Sequence, residues 1–259
     1  MGVLNVTPDS FYASSRATFK DEILRKTAQF LSQGTDIIDI GAVSTRPNAE
    51  KYASVDEEIE RITLVFELII KEFPKLTISC DTFRAKVVDF VVQNYNVAII
   101  NDISGGSFDP QMFDTIAKLK VPYVLMHTKG RLETMHKETN YNDIRTEMAS
   151  YFSVKIAELR QKGVNDIIID PGFGFAKTVD QNFELLKRIS YLRNFDCPIM
   201  VGMSRKSMFY KTFNTTPEES LNATSVSNFH ALQSGANILR VHDIKEAKET
   251  IKLYQKVLE

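Results

Sequence analysis

Three polar side chains in this sequence, Asp81, Asn101 and Asp170, each follow directly on a short and mostly apolar run. An ionised carboxylate beside buried residues costs several kcal/mol unless it is paired, so each carboxylate needs a partner. For one carboxylate alone, backbone donors of the following loop would explain the position equally well. Two carboxylates and an amide on one face favour a planar heterocycle with a donor edge, such as a 2-amino-pyrimidinone, because a carboxylate accepts hydrogen bonds from two adjacent N–H groups.

A second group of side chains is cationic and follows the last two apolar runs. Lys206 lies in the segment Ser204–Ser207, and Arg240 and His242 close the final run. Arg240 and His242 are two positions apart, so on an extended segment they point to the same side. In a (β/α)8 barrel the loops after the seventh and eighth strands are the usual phosphate site. The pattern predicts a bound phosphate or diphosphate, although Arg205 could equally belong to a solvated basic rim.

Two long polar loops follow the first two apolar runs. They span Thr7–Arg16 and Ser44–Ala49, are rich in Ser, Thr and Pro, and carry Phe11 and Arg46. Such loops are more typical of lids over a binding site than of plain connectors. A third segment, Asp170–Lys177, is rich in glycine, which permits tight turns or a close approach of the backbone to a ligand.

The apolar runs that precede these polar residues are predicted to be parallel strands. They alternate with helix-length amphipathic segments, a pattern typical of strands buried on both faces. The runs are Met1–Leu4, Ile37–Ile40, Leu76–Cys80, Val97–Ile100, Tyr123–Met126, Ile167–Ile169, Ile199–Val201 and Ile238–Leu239. Because the carboxyl ends of parallel strands gather on one side, the polar residues that follow them should meet there.

The segments between the runs are predicted to be helices. Ser54 and Glu57 form a capping box before the helix Val55–Lys71, and Gly34 should end a helix that begins at Thr18. The other predicted helices are Arg84–Asn94, Pro110–Leu119, Tyr141–Lys162, Gln181–Arg193, Thr216–Ser234 and Asp243–Leu258. The fold class is therefore α/β, a single (β/α)8 TIM barrel with its active site at the C-terminal ends of the strands. An open doubly wound sheet is the alternative, but it normally has a Gly-rich phosphate fingerprint after its first strand, which this sequence lacks.

Length and charge narrow the class of protein. The chain has 259 residues, 43% of them hydrophobic, and a formal net charge of -1, so we expect one domain over residues 1–259. Evenly mixed charges argue against a nucleic-acid or membrane partner, and no apolar run approaches the roughly 20 residues that span a bilayer. The first predicted strand starts at residue 1, so we expect the N-terminus to be clipped or the true start to lie upstream.

The cysteines indicate a protein from a reducing compartment, and the histidines do not form a metal-binding pattern. Cys80 and Cys197 lie in or beside predicted strands, where buried core thiols are the best interpretation, and this favours a cytoplasmic protein. His127, His136 and His230 lack metal-ligand spacing and are expected to be satisfied or exposed imidazoles.

Together these segments resemble the dihydropteroate synthase family of pterin-binding TIM barrels, which act in folate biosynthesis and are targets of sulfonamides. The matching segments run in family order along essentially the whole chain. They are Asn5–Phe11, Ser44–Pro47, Ser79–Thr82, Asn101–Gly105, Met126–His127 with Lys129–Gly130, Asp170–Phe175, Ser204–Ser207 and Arg240–Asp243.

The resemblance implies a transferase that condenses 6-hydroxymethyl-7,8-dihydropterin diphosphate with 4-aminobenzoate, giving 7,8-dihydropteroate and diphosphate. It implies Mg²⁺ as cofactor with Asn5 as the metal contact, small-molecule substrates as partners, and a homodimer. The implied pterin-binding residues are Asp81, Asn101, Met126, Asp170 and Lys206, and those for diphosphate are Asn5, Arg240 and His242. The implied aminobenzoate residues are Phe11, Thr45, Arg46, Pro47, Phe175, Lys206 and Ser207. The residues expected to act in catalysis are Asp170, Lys206, Arg240, His242 and Thr45.

Several positions in two loops depart from the family pattern. The first loop continues after Phe11 with Tyr12–Ser15, where the family usually has an Asp and a Gly pair, and Asn48 stands where Gly is usual. Loop closure and sulfonamide affinity are the properties for which these changes put the family expectation in question, whereas the pterin and anion residues are in place. A methyltetrahydrofolate-type methyltransferase is the alternative enzyme, but it would not need the anion set of Lys206, Arg240 and His242. A non-catalytic pterin-binding protein is the third hypothesis.

Overall fold

Parallel strands make up the centre of the computed structural model, which describes residues 1–6, 16–43, 53–131, 133–135 and 137–259. Six of them pair in sequence order to form one sheet, and the last two pair with each other. The strands are β1 Gly2–Asn5, β2 Ile37–Gly41, β3 Thr77–Asp81, β4 Ile99–Asp102, β5 Tyr123–Met126, β6 Ile167–Asp170, β7 Met200–Val201 and β8 Ile238–Leu239.

Two parallel bridges close these strands into a ring. Ile169 of β6 pairs with Ile199, directly before β7, and Gly2 of β1 pairs with Val241, just after β8. Backbone hydrogen bonds support the second bridge, because Val3 donates to Val241 at 3.0 Å and Val241 donates to Met1 at 2.9 Å. The eight strands therefore form a barrel, and the predicted (β/α)8 fold is confirmed.

Helices connect the strands and cover the outside of the barrel. They are α1 Arg16–Ser32, α2 Val55–Glu72, α3 Ala85–Tyr95, α4 Met112–Leu119, α5 Ile144–Gln161, α6 Val179–Arg188, α7 Ser207–Phe213, α8 Leu221–Gln233 and α9 Ile244–Leu258. The predicted capping box of α2 is present, since Glu57 N–H donates to Ser54 Oγ at 3.2 Å and Ser54 N–H donates to Glu57 Oε2 at 2.7 Å. In the described part of the chain, no helix is long and apolar enough to cross a membrane.

The sequence prediction was wrong in three places between β6 and β8. The helix predicted over Gln181–Arg193 is α6 followed by a 3₁₀ segment, Ile189–Phe195, and the one predicted over Thr216–Ser234 begins with the 3₁₀ turn Glu218–Ser220. The short helix α7 was not predicted at all. It directly follows Lys206, so the loop after β7 leads into the N-terminus of an additional helix, as is common at phosphate sites of this fold.

Alternate residues of the strands face opposite sides, which gives the barrel an outer and an inner layer. The outward set packs under the helices in the main core. The inward set begins with an apolar cluster at the base of the barrel: Met1, Ile99, Val124, Ile168 and Met200. The residues two positions after Ile99, Val124, Ile168 and Met200 are Asn101, Met126, Asp170 and Gly202. The inward polar residues therefore lie one layer above an apolar floor.

Candidate functional site

Strand register places four inward positions side by side at the C-terminal edge of the barrel. Asn5 pairs with Gly41, Gly41 with Asp81, and Asp81 with Asn101. A Cβ atom on Gly41 would lie 3.3 Å from Cβ of Asp81, so the glycine leaves room for the neighbouring carboxylate. Asp81 and Asn101 are therefore direct neighbours on the face where the sequence predicts both.

A buried carboxylate that the sequence analysis did not select lies below this row. Asp39 of β2 is 0% exposed. Its Oδ1 accepts a hydrogen bond from Ser79 Oγ at 2.6 Å, and its Oδ2 accepts from Asn101 Nδ2 at 2.8 Å. The same Oδ2 accepts from Arg240 Nε at 2.7 Å. One carboxylate oxygen thus joins a predicted pterin residue to a predicted diphosphate residue.

Arg240 also reaches Asp81, so its guanidinium bridges two carboxylates. Arg240 Nη2 donates to Asp81 Oδ2 at 2.7 Å, and the Arg240 side chain remains 21% exposed. Burial raises the pKa of Asp81 to about 7, and the positive charge of Arg240 opposes this rise. The predicted ring-binding and anion-binding groups therefore meet in one network.

Asp170 ends β6 and faces the same opening. Its Oδ1 accepts a hydrogen bond from Gly172 N–H at 2.7 Å. Burial raises the pKa of Asp170, and this rise is opposed by the Gly172 hydrogen bond and by the charges of Lys206 and Arg240. The carboxylate thus has a backbone partner, as expected for an isolated strand-end residue. The positive charges of Lys206 and Arg240 also stabilise its ionised form.

Lys206 lies with its ammonium group over an aromatic ring. Lys206 Nζ is 4.3 Å from the ring centroid of Phe175, and a Cβ atom on Gly174 would lie 2.9 Å from Lys206 Cδ. Burial, together with the charge of Arg240, lowers the pKa of Lys206 to about 8. Lys206 directly precedes α7, and Ser207 is the first residue of that helix. The structure therefore brings Lys206, Ser207 and Phe175 to one side of the opening.

His242 lies in the loop after β8 and Arg205 in the loop after β7, and the surroundings of the two side chains differ. The His242 side chain reaches the surface, and its backbone N–H donates to Ser204 Oγ at 3.2 Å. Partial burial and the nearby charges of Arg240 and Lys26 lower the pKa of His242 to about 4, which leaves the imidazole neutral near pH 7. Arg205 instead forms a two-pronged ion pair with Asp243, at 2.9 and 2.8 Å. Arg205 thus joins the two loops and is not part of a solvated rim.

A second charged residue missed from the sequence, Lys177, lies in the buried loop after β6. Its ammonium group donates to the carbonyl oxygens of Gly172 and Phe175, both at 2.9 Å, and contacts Nδ1 of His127 at 3.2 Å. Burial lowers the pKa of Lys177 to about 7 and also lowers the pKa of His127. The lysine holds together the loop that carries Asp170 and Phe175.

An apolar wall of four buried residues, Phe83, Ile103, Met126 and Met135, stands beside these polar groups. Phe175 packs against it. Met126 belongs to this apolar cluster, and its contact with the pterin ring stays a prediction.

The predicted site residues outside the described part of the chain are Phe11, Thr45, Arg46 and Pro47, together with His136 and the departures Tyr12–Ser15 and Asn48. Asn5 is described, and its side chain is exposed at the end of β1. Within the described ranges, no three His, Cys, Asp or Glu side chains come together in a group that could hold a metal ion. The amide oxygen of Asn5 is a donor of the type that Mg²⁺ accepts.

The sequence carries a signal for Asp39 and a weaker one for Lys177. Asp39 interrupts the apolar run Ile37–Ile40, and a carboxylate within a strand buried on both faces requires a specific partner. Lys177 ends the Gly-rich segment that begins at Asp170, and its burial follows from the way this segment folds back on the loop after β5. Its partners are backbone carbonyls and the imidazole of His127, a combination that no residue pattern reveals.

The chain matches a known family over almost its whole length. The model of the family described as "Pterin binding enzyme" matches residues 1–242. The dihydropteroate synthase of Bacillus subtilis strain 168 is 38% identical over 260 residues, covering 100% of this chain and 88% of the relative.

Solved structures agree with this match. The chain is similar to the Yersinia pestis dihydropteroate synthase in a sulfonamide drug complex, with a TM-score of 0.90, 35% identity, and coverage of 100% of this chain and 93% of that one. It is also similar to the Clostridium difficile dihydropteroate synthase crystallised in the presence of pteroic acid, with a TM-score of 0.91, 33% identity, and coverage of 99% and 95%.

Proposed function

The chain belongs to the family of pterin-binding enzymes, and we propose that it is a transferase that catalyses the dihydropteroate synthase reaction of folate biosynthesis. It condenses 6-hydroxymethyl-7,8-dihydropterin diphosphate with 4-aminobenzoate and releases diphosphate. The similarity to the synthase crystallised with pteroic acid supports this reaction, because that molecule contains both a pterin and an aminobenzoate.

One observation carries the proposal. Arg240 contacts Asp81 at 2.7 Å and shares Asp39 with Asn101, so groups suited to a heterocycle and a group suited to an anion lie in one opening. A substrate that joins a pterin to a diphosphate through one methylene needs both at close range. A methyltransferase acting on a folate would have no use for the anion side.

The pterin lies on the inward polar layer. Asp81 and Asp170 accept hydrogen bonds from the N–H groups of its pyrimidinone edge, and Asn101 completes the polar contacts. Lys206 donates to an acceptor of the ring, and Met126 lies along the ring face. Support comes from the register of Asp81 and Asn101 and from the charge of Lys206 acting on Asp170.

The diphosphate lies beside Arg240 and His242. Arg240 supplies a fixed positive charge, and neutral His242 donates or accepts one hydrogen bond, since its pKa lies well below 7. Asn5 is the protein contact for Mg²⁺, which when bound neutralises charge on the departing diphosphate. The side chain of Asn5 is exposed at the end of β1, so its amide oxygen would be free to hold such an ion.

The aminobenzoate lies towards Lys206, Ser207 and Phe175. The ammonium of Lys206 over the Phe175 ring gives this side both a charge and an aromatic face. Phe11, Thr45, Arg46 and Pro47 remain proposed contacts on the same side, although they lie outside the described residues. Thr45 also remains a proposed participant in catalysis.

The reaction then needs little proton transfer from the protein. The bond between the pterin methylene and the diphosphate oxygen breaks while Arg240 holds the leaving anion, and Asp170 stabilises the cationic pterin fragment. The amine of the aminobenzoate attacks the methylene and afterwards loses a proton. Positioning of both substrates accounts for most of the rate enhancement.

A cytoplasmic homodimer is the assembly that we propose. The free thiols of Cys80 and Cys197 agree with a reducing compartment. Exposed apolar side chains on the outer helices α8 and α9 support self-association: Val226, Leu253, Val257 and Leu258. The ring contact between Phe229 and Tyr254, with centroids 6.1 Å apart, holds these helices together.

The function is tested by incubating the purified protein with pterin diphosphate, 4-aminobenzoate and Mg²⁺ and measuring diphosphate and dihydropteroate. Equal amounts of both products are expected, with neither formed when aminobenzoate is left out. Tight pterin binding without turnover would support a binding protein instead. Methyl transfer from methyltetrahydrofolate would support the alternative enzyme.

A further inference from the structure

We propose that Asp39 is a positioning residue that fixes Asn101 and Arg240 relative to each other, and so links the pterin and diphosphate halves of the site. The inference rests on the proposed function for the identity of the two ligands. Asp39 itself lies one layer below the predicted ligand contacts and is fully buried. Its contribution is the placement of other side chains.

The geometry of the carboxylate supports this role. Asn101 Nδ2 and Arg240 Nε both donate to Oδ2 of Asp39, at 2.8 and 2.7 Å. Ser79 Oγ donates to the other oxygen at 2.6 Å and thereby fixes the rotation of the carboxylate. Because two groups from distant strands share one acceptor atom, a movement of either changes the position available to the other.

The strand register explains why Asp39 can reach both groups. Asp39 pairs with Ser79, two residues before Gly41 pairs with Asp81, so Asp39 and Gly41 face the same side of β2. Gly41 has no side chain to cover the carboxylate from above. Arg240 and Asn101 therefore both reach Oδ2 of Asp39, and Arg240 also donates to Asp81 through Nη2.

A carboxylate is the suitable group at this position. An arginine that is largely buried needs compensation of its charge, and a neutral acceptor would leave Arg240 with Asp81 alone. Asp81 cannot serve both purposes, since its oxygens are also needed by the pterin. Asp39 thus holds Arg240 in place whether or not a ligand occupies Asp81.

The chain offers a matched control for this idea. Glu58 is a buried carboxylate that accepts from a threonine hydroxyl, Thr82 Oγ1, at 2.7 Å and from an arginine, Arg84 Nη1, at 2.7 Å. It repeats the chemistry of Asp39, Ser79 and Arg240, but Arg84 is outside the proposed anion site. Glu58→Gln therefore reports the general cost of damaging a buried ion pair.

The test measures the dissociation constants of inorganic diphosphate with Mg²⁺ and of 6-hydroxymethylpterin by calorimetry, each ligand alone. Asp39→Ala is expected to weaken both by about tenfold or more, although it removes no predicted contact to either. Asp39→Asn keeps an acceptor and should weaken both to a smaller extent. Glu58→Gln should leave both constants within about twofold, even if its thermal midpoint falls.

Two results would overturn the proposal. One is loss of affinity for a single ligand in Asp39→Ala, and the other is an equal loss of both affinities in Glu58→Gln. If Asp39→Ala does not fold, Asp39→Asn decides, because it must weaken both ligands in parallel. Turnover is measured separately, so an inactive wild type that still shows the parallel loss would reject the proposed reaction and retain the role of Asp39.

Discussion

The guanidinium of Arg240 donates through Nη2 to Oδ2 of Asp81 at 2.7 Å and so connects the residue after β8 to the last residue of β3. Burial raises the pKa of Asp81 to about 7, and Arg240 acts against this rise. The protonation of a proposed pterin contact therefore depends on a residue proposed to bind the diphosphate.

Replacing Arg240 with Met should move the pH dependence of pterin binding. Asp81 binds the pterin N–H groups as a carboxylate, so affinity falls as the pH drops through its pKa. Loss of the guanidinium destabilises the ionised form, raises that pKa further, and should shift the acidic limb of the binding curve upward by about one unit or more. The measurement is the affinity for 6-hydroxymethylpterin between pH 5.5 and 9.

Arg205→Met is the control for this shift. It removes a guanidinium that pairs with Asp243 at 2.8 Å and does not contact Asp81. Its acidic limb should coincide with that of the wild type. An unshifted limb in Arg240→Met would show that Asp81 titrates independently of Arg240.

Lys177 should make the protein more stable as the pH rises above neutrality. Burial lowers its pKa from 10.5 to about 7 in the folded chain. Between these two values the unfolded chain holds more protons at this residue than the folded chain, so the free energy of unfolding should rise by roughly 1 kcal/mol per pH unit. Below pH 7 both states hold the proton and this contribution to the slope vanishes.

The measurement compares urea unfolding of wild type and Lys177→Met at pH 7, 8 and 9. The difference in unfolding free energy between the two proteins should grow with pH, since all other titrating groups are shared. Parallel curves would contradict a lowered pKa for Lys177. Lys118→Met, at an exposed lysine paired with Asp89, provides a control that should parallel the wild type.

The architecture was predictable because its signal is local. Each inward polar residue follows an apolar run, and the carboxyl ends of parallel strands meet wherever the barrel closes. This was sufficient to place Asp81, Asn101, Asp170 and Arg240 in one opening. The register that makes Asp81 and Asn101 direct neighbours follows from the same strand ends.

The parts that were missed depend on contacts between distant segments. Asp39 has a role only because Asn101 and Arg240 converge on one of its oxygens, and Lys177 only because two carbonyls turn towards it. Helix α7 has 7 residues, and so short a helix has little periodicity to detect. The sequence alone does not distinguish the role of Arg205 from that of Lys206, because both residues are cationic. The structure distinguishes them, since Arg205 pairs with Asp243.

Gly174 should be required for the position of Lys206. A Cβ atom there would lie 2.9 Å from Lys206 Cδ, and the residue has a φ of +79°. Gly163 has a φ of +85° with nothing within 4 Å of the added atom, so it carries the same backbone strain without the contact. Both Ala variants should lose roughly 1 kcal/mol of stability.

The two variants should differ in catalysis. Gly174→Ala displaces Lys206 from Phe175, and KM for the pterin diphosphate should rise on the order of tenfold. Gly163→Ala should keep the wild-type KM. KM is measured by steady-state kinetics well below the thermal midpoint of either variant. Equal KM values in the two variants would show that displacement of the Lys206 side chain does not affect substrate binding.

Val226→Lys should disrupt the proposed homodimer. Val226 on α8 is 63% exposed beside the apolar residues of α9, and a lysine in a closely packed apolar interface would be desolvated without a partner. Val154 on α5 is equally exposed at 63% and lies away from that pair of helices, so Val154→Lys is the matched control.

Light scattering coupled to size exclusion should give a dimer for the wild type and for Val154→Lys, and a monomer for Val226→Lys at micromolar concentration. A Val226→Lys dimer that persists on dilution would place the interface elsewhere, and a monomeric wild type would remove the proposed assembly.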